Sequence, residues 1–209
     1  MAIQKEQIIN VAMELLDEVG VDGITMRKLA EALDIKAASL YWHFANKQAL
    51  MDDMADMLME PVARKNLQSR AWEDQLRHTA TEIRRAMLKY RDGARVFAGS
   101  NGVTENVMRV GNALIGTLTE AGANSRLAAW GAFSVLYYVL GFVMEEQALG
   151  PDNGIDMKAR QAAFLTLAKT GYPYAGDAAD DIFNRNFDQR FALGIDLLTR
   201  GVRSRILEG

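Results

Sequence analysis

The chain has 209 residues, 49% of them hydrophobic and 24% charged, with a formal net charge of −3 and no cysteine. That length allows one large domain or a small domain fused to a larger one, and the composition supports a packed core rather than disorder. The charge excludes a surface that is basic all over, so any nucleic-acid contact has to be local, and the missing cysteines exclude disulfides, thiolate zinc sites and thiol nucleophiles.

Over 4–19 the apolar positions Ile8, Val11, Ala12, Leu15, Leu16 and Val19 recur at the spacing of one helix face. Gly20 and Gly23 predict its end. The opening "MAIQKEQIINVAMELL" shows no cleavable signal pattern, so the expected compartment is the cytoplasm. Thr25 predicts the N-cap of a short helix over 26–33. Asp34 and Ile35 make a turn, a third helix is expected over 37–44, and Asn46 is expected to cap a fourth from Lys47.

Further on, the spacing predicts a helix over 72–90, broken by Arg91, Asp92 and Gly93, then a loop over 99–106 and a helix over 107–120 stopped by Gly122. Asn124 or Ser125 caps a hydrophobic helix reaching about residue 148. Within it, "WGAFSVLYYVLGFVM" (130–144) falls short of the ~20 residues of a membrane span, contains Gly131 and Gly141, and runs into Glu145 and Glu146, so it reads as buried rather than membrane-bound. A loop over 150–156, a helix over 157–170, a turn over 170–177 and a closing helix over 180–206 complete the chain. No convincing strand pair appears; the fold class is all-α. Because 125–148 is apolar nearly all round, it is expected to pair with 180–206 in a four-helix interface between two copies, giving a homodimer.

Two short helices joined by a tight turn behind a supporting helix form the helix-turn-helix pattern, whose second helix enters the major groove of DNA. Leu29, Ala30, Leu33, Ile35 and Leu40 are placed to pack it together, while Ala37, Ala38 and Ser39 make a slim tip for a groove about 12 Å wide. Across 25–47 the cations Arg27, Lys28, Lys36 and Lys47 outnumber the anions Glu31 and Asp34, a local basic footprint on an acidic chain. Thr25, Tyr41, His43 and Lys47 are donors of the kind that hold phosphates, and Arg27 can reach a phosphate or a guanine edge. Tyr41, Trp42 and His43 admit two readings, packing or contact. Consecutive helical positions differ by about 100°, so at least one must point outward. Met51, Met54, Met57 and Met59 read as adaptable packing. With His78 the only other histidine, His43 is not expected to bind metal. No nucleophile–base pair or phosphate loop stands out, and "GSNG" is not followed by a lysine, so no catalytic residue and no enzyme is expected.

The stretch "AMELLDEVGVDGITMRKLAEALDIKAASLYWHFANKQALMDDMA" resembles the DNA-binding domain of the TetR family of bacterial transcriptional repressors, over nearly all of 5–55 and including the "LYWHF.NK" block. "YRDGARVFAG", "LGFVMEEQ" and "FALGIDLLTRGV" are similar to segments of the tetracycline repressors. The resemblance implies a helix-turn-helix domain over 1–47, an effector-binding and dimerisation domain over 48–209, and a palindromic DNA operator as partner. Arg27, Tyr41, His43 and Lys47 stand where those repressors place identical DNA-contacting residues, and Trp42 is shared. Ser39 and Met26 each replace a threonine, while Ala37 and Ala38 replace a glutamine and a proline that read bases. With Thr25 and Lys36 these make up the expected DNA-binding set. An amide contact to adenine is worth ~1–3 kcal/mol of discrimination, and Ala37 cannot make one, so the same docking with a different operator is expected.

In the larger domain, the resemblance places Phe97 where a histidine binds magnesium. Ala63, Thr79 and Leu114 stand where a histidine, an asparagine and a glutamine hold the drug, and only Glu145 matches a retained carboxylate. A more apolar pocket is therefore expected, lined by Ile83, Phe97, Met108, Leu114, Tyr137 and Met144, with Thr79, Ser100 and Glu145 as polar handles. The expectation is a repressor released by a small-molecule effector, with no cofactor required and a magnesium chelate disfavoured. The alternatives are a tetracycline-type repressor with altered metal dependence and a helical ligand-binding protein or enzyme without DNA binding.

Overall fold

A computed structural model describes residues 3–65, 71–150 and 154–208. Among them the chain forms helices throughout and no strand. The first three are α1 (Lys5–Gly23), α2 (Met26–Ala32) and α3 (Ala37–Leu40). The apolar stripe of α1 buries Ile8, Ala12, Leu15 and Leu16. The helix does not stop at Gly20 but bends there and runs on to Gly23. Gly20 has φ 69°, and a Cβ on it would lie 2.8 Å from the Asp92 carboxylate, so both conformation and space require glycine. Thr25 caps α2 as expected, its Oγ1 accepting the Lys28 N–H at 3.1 Å. The helix expected over 37–44 is shorter: α3 ends at Leu40, and 41–43 form a turn in which the N–H groups of His43 and Phe44 both return to the Leu40 carbonyl. That turn delivers Asn46 in extended conformation, where its Oδ1 accepts the Ala49 N–H at 2.9 Å and starts α4 (Lys47–Met59).

The boundary expected at residue 47 thus falls on the first residue of a helix that packs against α1 and also against α5 (Trp72–Leu88), α6 (Gly93–Ala98) and α7 (Glu105–Glu120). Helix α6 departs from the expected break, because Gly93 reads as a breaker. Instead Asp92, at φ 57°, turns the chain and Gly93 opens the new helix, where a Cβ would sit 2.1 Å from the Met87 carbonyl oxygen. Asn124 caps α8 (Ser125–Ala148) by accepting the Leu127 N–H at 3.0 Å. At 24 residues α8 is long and apolar enough to cross a membrane by length and composition, contrary to the expectation from its short apolar run. What places it is packing: Ala128, Gly131, Ala132, Val135, Val139 and Val143 are buried against neighbouring helices.

The loop expected over 150–156 lies partly outside the described residues. Beyond it come α9 (Met157–Ala168), α10 (Pro173–Asp177), α11 (Ala179–Ile182) and α12 (Phe187–Leu207). The turn expected over 170–177 contains a short helix opened by Pro173, whose missing N–H costs nothing at that position. The closing helix expected over 180–206 is interrupted, and Asn186 caps its long part by accepting the Gln189 N–H at 3.0 Å. Helices α9 to α11 pack chiefly on one another, around Ala168, Ala179 and an edge contact of the Phe164 and Phe183 rings. Residues from Ile8 to Val202 share one continuous core.

Arg84 ties that core together at one end. On α5 and nearly buried, it donates from Nε and Nη2 to both Glu146 oxygens at 2.8 and 2.7 Å, and from Nη1 to Asp188 at 2.7 Å. Its guanidinium also lies over the rings of Phe142 and Phe191. One side chain thereby joins α5, α8 and α12. Arg84→Ala leaves Glu146 unpaired in a low-dielectric site and is expected to cost about 3–5 kcal/mol. Asp188→Asn, at an exposed partner, is expected to cost less than about 1 kcal/mol. Denaturant midpoints of the two variants check the difference.

Candidate nucleic-acid interface and effector site

The expected DNA-contacting residues fall on one small helical head. Leu29, Leu40 and Phe44 are buried behind them and hold α2, α3 and the turn together. In front, Thr25, Arg27, Lys36, Ala38, Tyr41, Trp42 and Lys47 are exposed, and Met26, Ala37, Ser39 and His43 are half-buried. The open question about the aromatic run is resolved for its middle member. Trp42 is 89% exposed, so it does not pack in the core. His43 lies tilted against Phe44, its ring centroid 6.4 Å away. Arg27 projects from the first turn of α2, its side chain 87% exposed, with Nε donating to Glu31 Oε1 at 2.8 Å. That hydrogen bond raises the Arg27 pKa further above its ordinary value. The head therefore presents a slim alanine tip flanked by cations, hydroxyls and ring N–H groups, a surface suited to phosphates and groove edges.

Several contacts between head and body had no local signal in the sequence, because their partners are far apart along the chain. Asp92 accepts the Val21 N–H at 2.9 Å, and Asp17 accepts the Arg91 N–H at 2.7 Å. Arg95 reaches both oxygens of Asp22 at 3.0 and 2.9 Å. Along α4, Gln48 donates to the Gly99 carbonyl at 2.8 Å, and Asp52 accepts the Asn101 N–H at 2.8 Å. Asp56 accepts the backbone and side-chain N–H groups of Asn106 at 2.8 and 2.6 Å. Arg109 donates to the carbonyls of Met59 and Glu60, at the end of α4, at 2.9 and 2.8 Å. The segment 99–109 is thus stitched to α4.

The expected effector residues do not gather in one place. Thr79 and Ile83 on α5 and Leu114 on α7 are buried, and Phe97 on α6 packs against the same core. Ser100 is half-buried, its hydroxyl donating to the Phe97 carbonyl at 2.8 Å. Met108, Tyr137 and Met144 are exposed, contrary to the expectation of one internal pocket. Glu145 likewise lies outside, 3.3 Å from Arg190, in a groove of about 540 Å³ between α8 and α12 that Tyr137 also lines. Helical spacing marks a residue as belonging to an apolar stripe but not which stripe faces inward, and α8 has two. Ala63, at φ 53°, donates its N–H to Glu82 at 2.9 Å.

The metal that the tetracycline repressors imply does not fit this donor set. Phe97 has no lone pair, Ala63 and Leu114 have no polar side-chain atom, and among the described residues no group of three histidine, aspartate or glutamate side chains is placed to hold an ion.

The chain matches the family model for bacterial regulatory proteins of the tetR family over residues 8–54, and the tetracyclin repressor-like C-terminal domain over residues 66–206. It is 37% identical to the class A tetracycline repressor protein from transposon 1721 of Escherichia coli, across 99% of this chain and 96% of that one. A possible TetR family transcriptional regulator from Streptomyces coelicolor A3(2) superposes with a TM-score of 0.86 at 34% identity, covering 96% of this chain and 99% of the other. The Streptomyces coelicolor TetR family protein ActR, solved in complex with actinorhodin, gives a TM-score of 0.88 at 26% identity, with 99% of each chain covered.

The different placements of neighbouring head residues predict different consequences of truncation. Trp42→Ala removes an exposed ring and is expected to change stability by less than about 0.5 kcal/mol. Leu40→Ala, two positions earlier, empties part of the core and is expected to cost about 2–5 kcal/mol. Thermal or denaturant unfolding of the two variants distinguishes them.

Proposed function

The chain belongs to the TetR family of bacterial transcriptional regulators, and we propose that within it this protein is a repressor that binds a palindromic operator as a homodimer and leaves it when a small-molecule effector binds. The observation that carries this reading is the head itself. Tyr41, Trp42, Arg27 and Lys47 are held out to solvent by a core that does not use them. An exposed tryptophan, two cations and hydroxyl donors grouped around a slim helix tip have a clear use against a DNA groove.

The proposed dimer brings two heads to successive major grooves, about 34 Å apart. Its interface is the outer side of α8 and α12, where Trp130, Phe133, Tyr137, Leu193 and Leu197 form an exposed apolar band. The exposed Leu167, Tyr172 and Tyr174 of the α9–α11 region extend the apolar surface that a second copy can cover.

The proposed effector enters the body near Phe97, Thr79, Ile83 and Leu114. Those side chains favour an organic molecule recognised by shape, apolar contact and a few hydroxyl hydrogen bonds rather than a tetracycline–magnesium chelate. ActR in complex with actinorhodin is a precedent for an organic ligand on this fold. The release mechanism follows from the stitching of α4 to 99–109. An effector that displaces α6 or the start of α7 moves α4, and with it the distance between heads. Coupling of ~1–3 kcal/mol per site is typical and suffices for release when both heads feel it. Working on DNA, the protein acts in the cytoplasm.

Fluorescence anisotropy on a palindromic duplex selected by the purified protein tests the reading. Lys47→Ala is expected to weaken binding evenly across sequences and to reduce the salt slope by about 1, with the unfolding midpoint unchanged. Tetracycline with magnesium is expected to leave the wild-type complex intact, whereas an effector found by screening releases it. Failure to bind any duplex, or release by the magnesium chelate at concentrations that release a tetracycline repressor, would overturn the corresponding part.

A further inference from the structure

Arg27 is held by one edge only. Its Nε donates to Glu31 Oε1, one helical turn further along α2, and no other described residue bonds its guanidinium. A guanidinium carries its N–H donors in a planar fork, so the Nε contact uses one donor while setting the plane and direction of the rest. The edge left free, Nη1 with Nη2, is of the kind that pairs with guanine O6 and N7 in the major groove.

A phosphate contact has no need of this arrangement. A carboxylate at i+4 repels the phosphate backbone and weakens Arg27 as a backbone ligand, while stiffening it as a reader of base edges. The alanines at 37 and 38 supply no polar base-reading group, so base discrimination has to come from neighbouring side chains. The pair is exposed and contributes little to the free head; it gains importance once the groove displaces water around it.

We propose that Glu31 is a positioning residue for operator readout: by holding Arg27 through Nε it turns the Nη edge towards a guanine in each half-site. This rests on the DNA-binding reading given above. It assigns a role to an acidic residue that, by charge alone, works against DNA binding.

The test uses the full chain and its variants Arg27→Ala, Glu31→Ala and Glu31→Gln. Sites are first selected by the wild type from duplexes carrying a randomised segment. The affinity of each protein is then measured for the consensus and for every single-base replacement in one half-site. The wild type is expected to demand guanine at one position, and Arg27→Ala to lose that demand. Glu31→Ala is expected to lower discrimination at that position alone by about tenfold, while binding random duplex as well as the wild type or better, since an anion has left the interface. Glu31→Gln, whose amide oxygen still accepts from Nε, is expected to keep most of the discrimination. Unchanged guanine preference in Glu31→Ala overturns the proposal, as does an equal loss at every position or unchanged preference in Arg27→Ala. If the wild type enriches no sequence, the regulator reading itself falls and takes this proposal with it, an outcome distinct from the others.

Discussion

The position of the head depends on how α4 is held against the segment that starts at Gly99. Arg109 places a cation at the negative end of the α4 dipole and donates to the Met59 and Glu60 carbonyls, which lie beyond the reach of the helix's own i→i+4 ladder. Asp52 and Asp56 take the backbone N–H groups of Asn101 and Asn106 from the other side. The contacts are partly open to water, and a hydrogen bond of this kind contributes on the order of 1 kcal/mol. They are strong enough together to fix α4 in one register and weak enough singly to be exchanged. The Arg84 cluster is of another kind: nearly buried, lying over the Phe142 and Phe191 rings, and costly to open. The molecule therefore combines a stiff junction of α5, α8 and α12 with a yielding one between α4 and α7.

Much of the fold was legible because capping chemistry is local. Thr25, Asn46 and Asn124 each accept an N–H three residues on, and each begins a helix where the side chain predicts one. The failures also have local causes. Gly93 reads as a stop because glycine usually is one, but here Asp92 in the left-handed region reverses the chain and only glycine fits under the Met87 carbonyl. Tyr41 to His43 continue an apolar-looking run, so α3 reads as longer than it is, although Tyr41 and Trp42 are turned outward. The break before Asn186 disappears in an otherwise helical pattern because the asparagine cap shows only once the interruption is known.

The two sites differed in legibility for one reason. A head of short helices has a single core, so Leu40 and Phe44 go in and what remains faces out. The body has α8, which is apolar on the side that meets α5 and α7 and apolar again on the side that meets solvent in one copy. Sequence periodicity cannot separate these faces, and so it groups Tyr137 and Met144, which are exposed, with Ile83 and Leu114, which are buried. The resemblance to tetracycline repressors supplied the mapping of Phe97 and Thr79, which spacing alone does not yield.

Ala38 sits exposed at the leading edge of the reading helix and outside the core behind it, whereas its half-buried neighbour Ala37 packs against that core. A position that supports nothing behind it is free to change what it meets in front. Substitutions at Ala38 can redirect the protein to a new site on a genome without first passing through a less stable fold. The destination of the regulator and its durability are thus recorded in separate residues, and a lineage can revise one while keeping the other.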